Sequence, residues 1–139
     1  MNPAFSVIFL TTLIGAGQGL FLALFAAESS WLGTAPATGA ALYVRGDAIA
    51  LTLLIAGLIA SFFHLGHPER AWRAVAMWRT SWLSREVIVL PVFMAMVALH
   101  GVCHFSGNVS CVAITGLAAA ILCLALFYIT DRKSTRLNS

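Results

Sequence analysis

Few side chains in this sequence can do chemistry, and they fall into three groups. The first is Phe62-Phe63-His64-Leu65-Gly66-His67-Pro68. His64 closes an apolar run; two aromatics precede it and a basic segment follows. An imidazole with an ordinary pKa near 6.5 can both hydrogen-bond a carbonyl and take up a proton. A quinone headgroup at a membrane boundary needs such a group beside an apolar slot for its ring and tail. The plainer account is an interfacial histidine at a helix C-terminus, favoured there by the helix dipole. The second group is Gly15-Ala16-Gly17-Gln18-Gly19. Gly15 and Gly19 have the GxxxG spacing that lets membrane helices approach closely. Gln18 is then expected to face protein or a cavity, either in plain helix packing or lining a quinone pocket. The third group is His100 and His104, four residues apart and so on one helical face. With Cys103 and Cys111 near by they offer a mixed Cys/His metal site or a haem ligand. Both histidines lie near a turn, however, where water can satisfy them. The other spans supply no mid-membrane histidine as a second haem ligand, so no haem or metal is expected. The three cysteines contain no CxxC pair, which disfavours a cluster held by cysteine alone. A Cys103–Cys111 disulfide across the turn is open to a chain whose turn faces an oxidising compartment.

The elements that position these residues are membrane helices. Of 139 residues, 60% are hydrophobic and 9% charged, with mean hydropathy +0.93. Soluble domains carry roughly 25% charged residues. A soluble enzyme, a nucleic-acid-binding domain and a disordered chain are therefore disfavoured. A membrane helix takes about 20 mostly apolar residues. Four segments qualify: about Phe5–Ala27, Asp47–Phe63, Val87–Phe105 and Val109–Ile129. None has a charge at its middle. The first is long and no Lys or Arg precedes it, so it reads as a retained helix rather than a signal peptide. Residues 28–46 are expected to form an exposed loop. Ser106-Gly107-Asn108 reads as a tight turn that makes the last two spans a hairpin. The fold class is all-α, a polytopic transmembrane bundle of four helices plus a short interfacial helix.

That interfacial helix is expected between Glu69 and Arg79. Pro68 suits its first position and Glu69 its dipole. Trp72, Val75 and Trp78 fall near one face, with Arg70 and Arg73 offset from them, as in a helix lying at the membrane surface. Residues 64–86 hold Arg70, Arg73, Arg79 and Arg85, four of the five basic residues outside the tail, with three of the four tryptophans. Ser84 is placed to cap the third span, and Pro91 to kink it. The net charge of +3 owes three cations to the last nine residues. That tail, Asp131-Arg-Lys-Ser-Thr-Arg-Leu-Asn-Ser139, reads like translated sequencing-adaptor sequence and is expected to lie outside the native fold. Without it the charge is nearly balanced, which leaves no basis for a nucleic-acid partner. His64 and Glu86 share one membrane face. His104 is 18 residues beyond Glu86, roughly 27 Å of helix rise, so it cannot share a pocket with His64.

Three stretches make the chain resemble the membrane-anchor subunit of the dimethyl sulfoxide reductase family. They are Pro3-Ala4-Phe5-Ser6-Val7, then Phe63-His64-Leu65-Gly66-x-Pro68, then Ser81-Trp82-Leu83-Ser84-Arg85-Glu86. The resemblance covers residues 1–130. It implies an eight-helix anchor of which this chain is the first half, in a bacterial plasma membrane. It implies oxidation of quinol, typically menaquinol, with electrons passed to an iron–sulfur subunit that feeds a molybdopterin catalytic subunit in anaerobic respiration. Haem and metal are not expected in such an anchor. By this resemblance His64 binds a quinol hydroxyl and accepts its proton, with Gln18 lining the site. Arg85 and Glu86 pair or shape the pocket mouth. Arg70, Arg73 and Arg79, with Trp72 and Trp78, dock the iron–sulfur subunit or hold lipid phosphates; a solvated interfacial loop is the equal alternative. The short arginine-rich loop is expected in the cytoplasm by the positive-inside rule, whereas many reductases of the family work in the periplasm. Two other readings compete. A small transporter or channel-like bundle would need a polar path, and the spans offer only Gln18, Thr11, Thr12, Thr52 and Thr115. A haem-b carrier would use His100 or His104.

Overall fold

Hydrocarbon offers the backbone no hydrogen-bond partner, so long apolar runs close their own bonds as helices. The computed structural model describes residues 3–30, 39–64, 79 and 82–137. They form α1 (Pro3–Ser30), α2 (Gly39–His64), α3 (Trp82–Ser106) and α4 (Val109–Leu137), with no strand among the described residues. All four are long and apolar enough to cross a membrane, over Ile8–Ser30, Gly39–Ser61, Ser84–Ser106 and Val109–Arg132. The all-α, four-span expectation holds. The expected loop over residues 28–46 does not: α1 continues to Ser30 and α2 begins at Gly39. Glu28 and Arg45 therefore belong to helices, as does Asp47, already expected at the start of the second span. Acids at span ends are tolerated when they find partners inside the protein. Ser84 falls inside the first turn of α3 rather than ahead of it, and Pro91 sits within an unbroken helix. Helix α4 runs on through Asp131 to Leu137, where Thr135 Oγ1 donates to the Asp131 carbonyl. Of the expected interfacial helix, only Arg79 lies among the described residues, exposed in a turn.

Helices α1 and α2 pack antiparallel, with Gly17 against Leu54, Gly57 against Ile14 and Gly46 against Leu24. A Cβ on Gly17 would come 2.8 Å from Leu54 Cγ and 3.0 Å from the Ala50 carbonyl oxygen. Around Gly15 and Gly19 there is open space. The close approach thus runs through Gly17, one face round from the GxxxG pair that the spacing suggested. The core gathers Phe21, Leu54, Phe93, Val97, Cys123 and Leu126. Phe21 stands edge-on to Phe93 at 5.6 Å. Ile114, Leu117, Ile121 and Leu124 of α4 point outward.

The α3–α4 turn is as tight as expected. Gly107 takes φ +70°, a left-handed conformation that glycine adopts freely at a helix end. Asn108 caps α4, its Oδ1 accepting from the Cys111 amide at 3.1 Å. A disulfide joins Cys103 to Cys111 across the turn, Cα to Cα 5.6 Å. Because successive spans reverse, the bundle has two ends. The arginine end holds the last residues of α2 and the first of α3. The disulfide end holds the ends of α1 and α3 and the starts of α2 and α4.

Candidate functional site

The disulfide end carries a buried polar cluster. Glu28 comes from the last turn of α1, Tyr43 and Asp47 from the first half of α2, and His100 and His104 from the last two turns of α3. His100 is fully buried. Its Nδ1 lies 2.7 Å from Asp47 Oδ2 and its Nε2 3.1 Å from Glu28 Oε2. A carboxylate only accepts, so Nδ1 carries a proton and donates it to Asp47. His104 Nε2 lies 2.9 Å from the other Glu28 oxygen, Oε1. That approach is off the N–H axis. Two buried atoms, His104 Nε2 and Asp47 Oδ1, have no hydrogen-bond partner among the described residues. The Tyr43 ring stacks on His104 at 4.9 Å and Phe21 meets His100 edge-on at 5.5 Å.

Small residues make room for the cluster. A Cβ on Gly116 of α4 would come 3.1 Å from His100 Nε2, and one on Gly101 3.4 Å from Asp47 Cβ. Beside the cluster, α2 and α3 leave an apolar groove of about 320 Å³ lined by Val44, Leu51, Val97, Val102 and Phe105, with Asp47 in its wall. Two acids and two imidazoles within contact of one another can hold a proton or a cation. Left unpartnered at this depth, either carboxylate would be costly.

The residues singled out from the sequence lie elsewhere. Arg85 and Glu86 lie in the first turns of α3 at the arginine end, where Arg85 Nη2 donates to the Arg79 carbonyl at 3.4 Å. His64 is the last residue of α2, at the same end; its side chain lies outside the described residues, as do Arg70, Trp72, Arg73 and Trp78. Gln18 is buried, as expected. It sits in mid-span, however, about 15 Å of helix rise from Ile8 at the arginine end. Its carbonyl accepts weakly from Cys123 Sγ at 3.9 Å. Nothing described brings it to Arg85 or Glu86. His100 is the larger correction: water at the turn was expected to satisfy it, and Asp47 and Glu28 do so instead. Sequence reasoning missed Glu28, Asp47 and Tyr43. The signal for them was that Glu28 and Asp47 are the only acids outside the arginine-rich segment and the tail. Reversing spans place both at the end that holds His100 and His104.

Among the described residues, four spans with their charged groups toward the two ends of the bundle make this a polytopic membrane protein. The family model described as DMSO reductase anchor subunit (DmsC) matches residues 1–133, and the chain belongs to that family. It is 53% identical over 143 aligned positions to a sulfite dehydrogenase subunit of Allochromatium vinosum. The match takes in 94% of this chain and 44% of that protein, so the chain spans less than half the length of this relative. No solved structure matches the chain.

Proposed function

We propose that this anchor exchanges electrons between membrane quinone and an iron–sulfur subunit that serves a molybdopterin catalytic subunit. The family match over residues 1–133 carries this reading. In a respiratory reductase the anchor oxidises quinol, here menaquinol. Two electrons leave for the iron–sulfur subunit and two protons leave the hydroxyls. His64 accepts one of those protons, with Arg85 and Glu86 at the mouth of the site; their shared end of the bundle supports that grouping. Arg70, Arg73 and Arg79, with Trp72 and Trp78, form the docking face for the iron–sulfur subunit or the lipid phosphates. Gln18, in mid-span, lines the inner reach of the quinone tail.

The relative favours a second reading of direction. It is named for sulfite dehydrogenation, and a dehydrogenase yields electrons. An anchor in such a complex reduces quinone, which takes up two electrons and two protons, with His64 giving a proton instead of taking one. The membrane is the plasma membrane of a bacterium. The arginine end faces the cytoplasm by the positive-inside rule, and the disulfide end faces the oxidising side. The two indications agree.

The test uses the native complex in nanodiscs, assayed with menaquinol plus dimethyl sulfoxide and with sulfite plus a quinone analogue. The active pair sets the direction. His64→Ala is expected to lower quinone-coupled turnover about 100-fold or more, the scale of a lost proton-transfer group, while the complex still assembles. Unchanged turnover and unchanged quinone-analogue binding would remove His64 from the site.

A further inference from the structure

We propose that Glu28, His100 and His104 form a binding site for one divalent transition-metal ion of the zinc class, with Asp47 orienting His100. The three side chains each offer a ligand atom, and these atoms lie within 4.8 Å of one another. Metal–ligand bonds of 2.0–2.2 Å in a tetrahedral site place ligand atoms about 3.3 Å apart. The contact of Glu28 Oε2 with His100 Nε2, at 3.1 Å, is close to that edge, and the other Glu28 oxygen, Oε1, lies 2.9 Å from His104 Nε2, so the carboxylate reaches both imidazoles. Two imidazoles and one carboxylate suit zinc and its neighbours, whereas magnesium and calcium take oxygen ligands.

Three observations single this cluster out from an ordinary ion pair. First, His104 Nε2 has no hydrogen-bond partner among the described residues, although its side chain is only 9% exposed and Glu28 Oε1 lies 2.9 Å from the atom. Second, His100 donates Nδ1–H to Asp47. A carboxylate held at Nδ1 orients the ring so that Nε2 faces Glu28, the carboxylate–histidine arrangement that supports metal ligation. The 3.1 Å contact between Nε2 and Glu28 Oε2 takes either a proton or a cation that both atoms ligate. Third, the charges close. One divalent ion would balance the two carboxylates without an extra proton on either imidazole. Doubly protonating the cluster would instead set two imidazolium rings 4.7 Å apart. A Cβ on Gly116 would press on the Phe25 ring at 2.9 Å and on His100 Nε2 at 3.1 Å, so only glycine leaves that side of the imidazole unobstructed. Glu28 is 16% exposed and gives the ion a way in from the disulfide end. Two histidines on one helix do not by themselves make this site. The third ligand and the orienting acid come from α1 and α2, which is why the sequence led to no metal being expected.

The test uses the full chain in detergent, stripped with a chelator and titrated with Co²⁺, then challenged with Zn²⁺. We expect one equivalent of Co²⁺ with the visible absorption of a four- or five-coordinate ion, displaced by Zn²⁺. Asp47→Asn should weaken binding about 10–100-fold, the usual cost of losing an orienting partner. Glu28→Gln and His104→Ala should weaken it further, and Glu28→His, which keeps a third ligand, should restore it. X-ray absorption of the Co²⁺-loaded wild-type protein should show imidazole scattering, a reading independent of whether any variant folds. Less than a tenth of an equivalent bound, binding that survives Glu28→Gln with His104→Ala, or a shell without imidazole would each overturn the proposal.

Discussion

His100 shows how much a single side chain can be asked to do. It touches an acid from α1 through one ring nitrogen and an acid from α2 through the other. It is also packed against Phe21. Removing it leaves Asp47 buried without its partner. Breaking a buried pair from one side costs about 3–5 kcal/mol. His100→Ala in chelator-treated protein is therefore expected to lose about that much stability, read by reversible unfolding in mixed detergent micelles. A loss under about 1 kcal/mol, the scale of an exposed pair, would mean that Asp47 finds water or another partner at once. His100 and His104 were visible as a pair in the sequence. Their partners were not, because Glu28 looks like an ordinary loop charge until α1 lengthens, and Asp47, at the start of the second span, is 19 residues away from it.

Among the helices, the α1–α2 seam depends on which glycine faces the neighbour. Gly17→Val puts two methyls and a Cβ against Leu54 and the Ala50 carbonyl, and overpacking of this kind costs about 1–3 kcal/mol. A Cβ on Gly19 meets nothing within 4 Å, so Gly19→Val should stay within about 0.5 kcal/mol of wild type. The two variants compared in one unfolding experiment separate a seam at Gly17 from a seam at the GxxxG pair; equal costs would disprove the assignment. At the α3–α4 turn, the glycine, the asparagine cap and the disulfide all hold the same reversal. Reduction of Cys103–Cys111, or Cys111→Ser, is expected to cost about 2 kcal/mol, as befits a short closed loop. Gel shift and thermal unfolding with and without a thiol reductant would measure it. The turn was legible because Ser-Gly-Asn has one local solution. The seam was not, because small residues at positions 15, 17 and 19 are all compatible with close packing until a partner surface is chosen.

For the whole molecule, the proposed orientation across the membrane yields a labelling prediction. In a background carrying Cys103→Ser and Cys111→Ser, Asn108→Cys should react with an impermeant maleimide in intact cells. Arg79→Cys should react only after permeabilisation, while Cys123 stays protected in the core. The reverse pattern would put the arginine end outside. The sequence by itself determined the solvent, the number of spans, the hairpin and the family, because hydrophobic run length and local turn chemistry are carried by adjacent residues. It also separated His64 from His104, since helix rise converts residue count into depth. Only the tertiary structure decided that α1 and α2 extend far enough to bring Glu28 and Asp47 onto His100 and His104. Those contacts join residues 53 and 72 positions apart. They depend on which faces of the helices meet, and that choice is made by the packing of all four helices together.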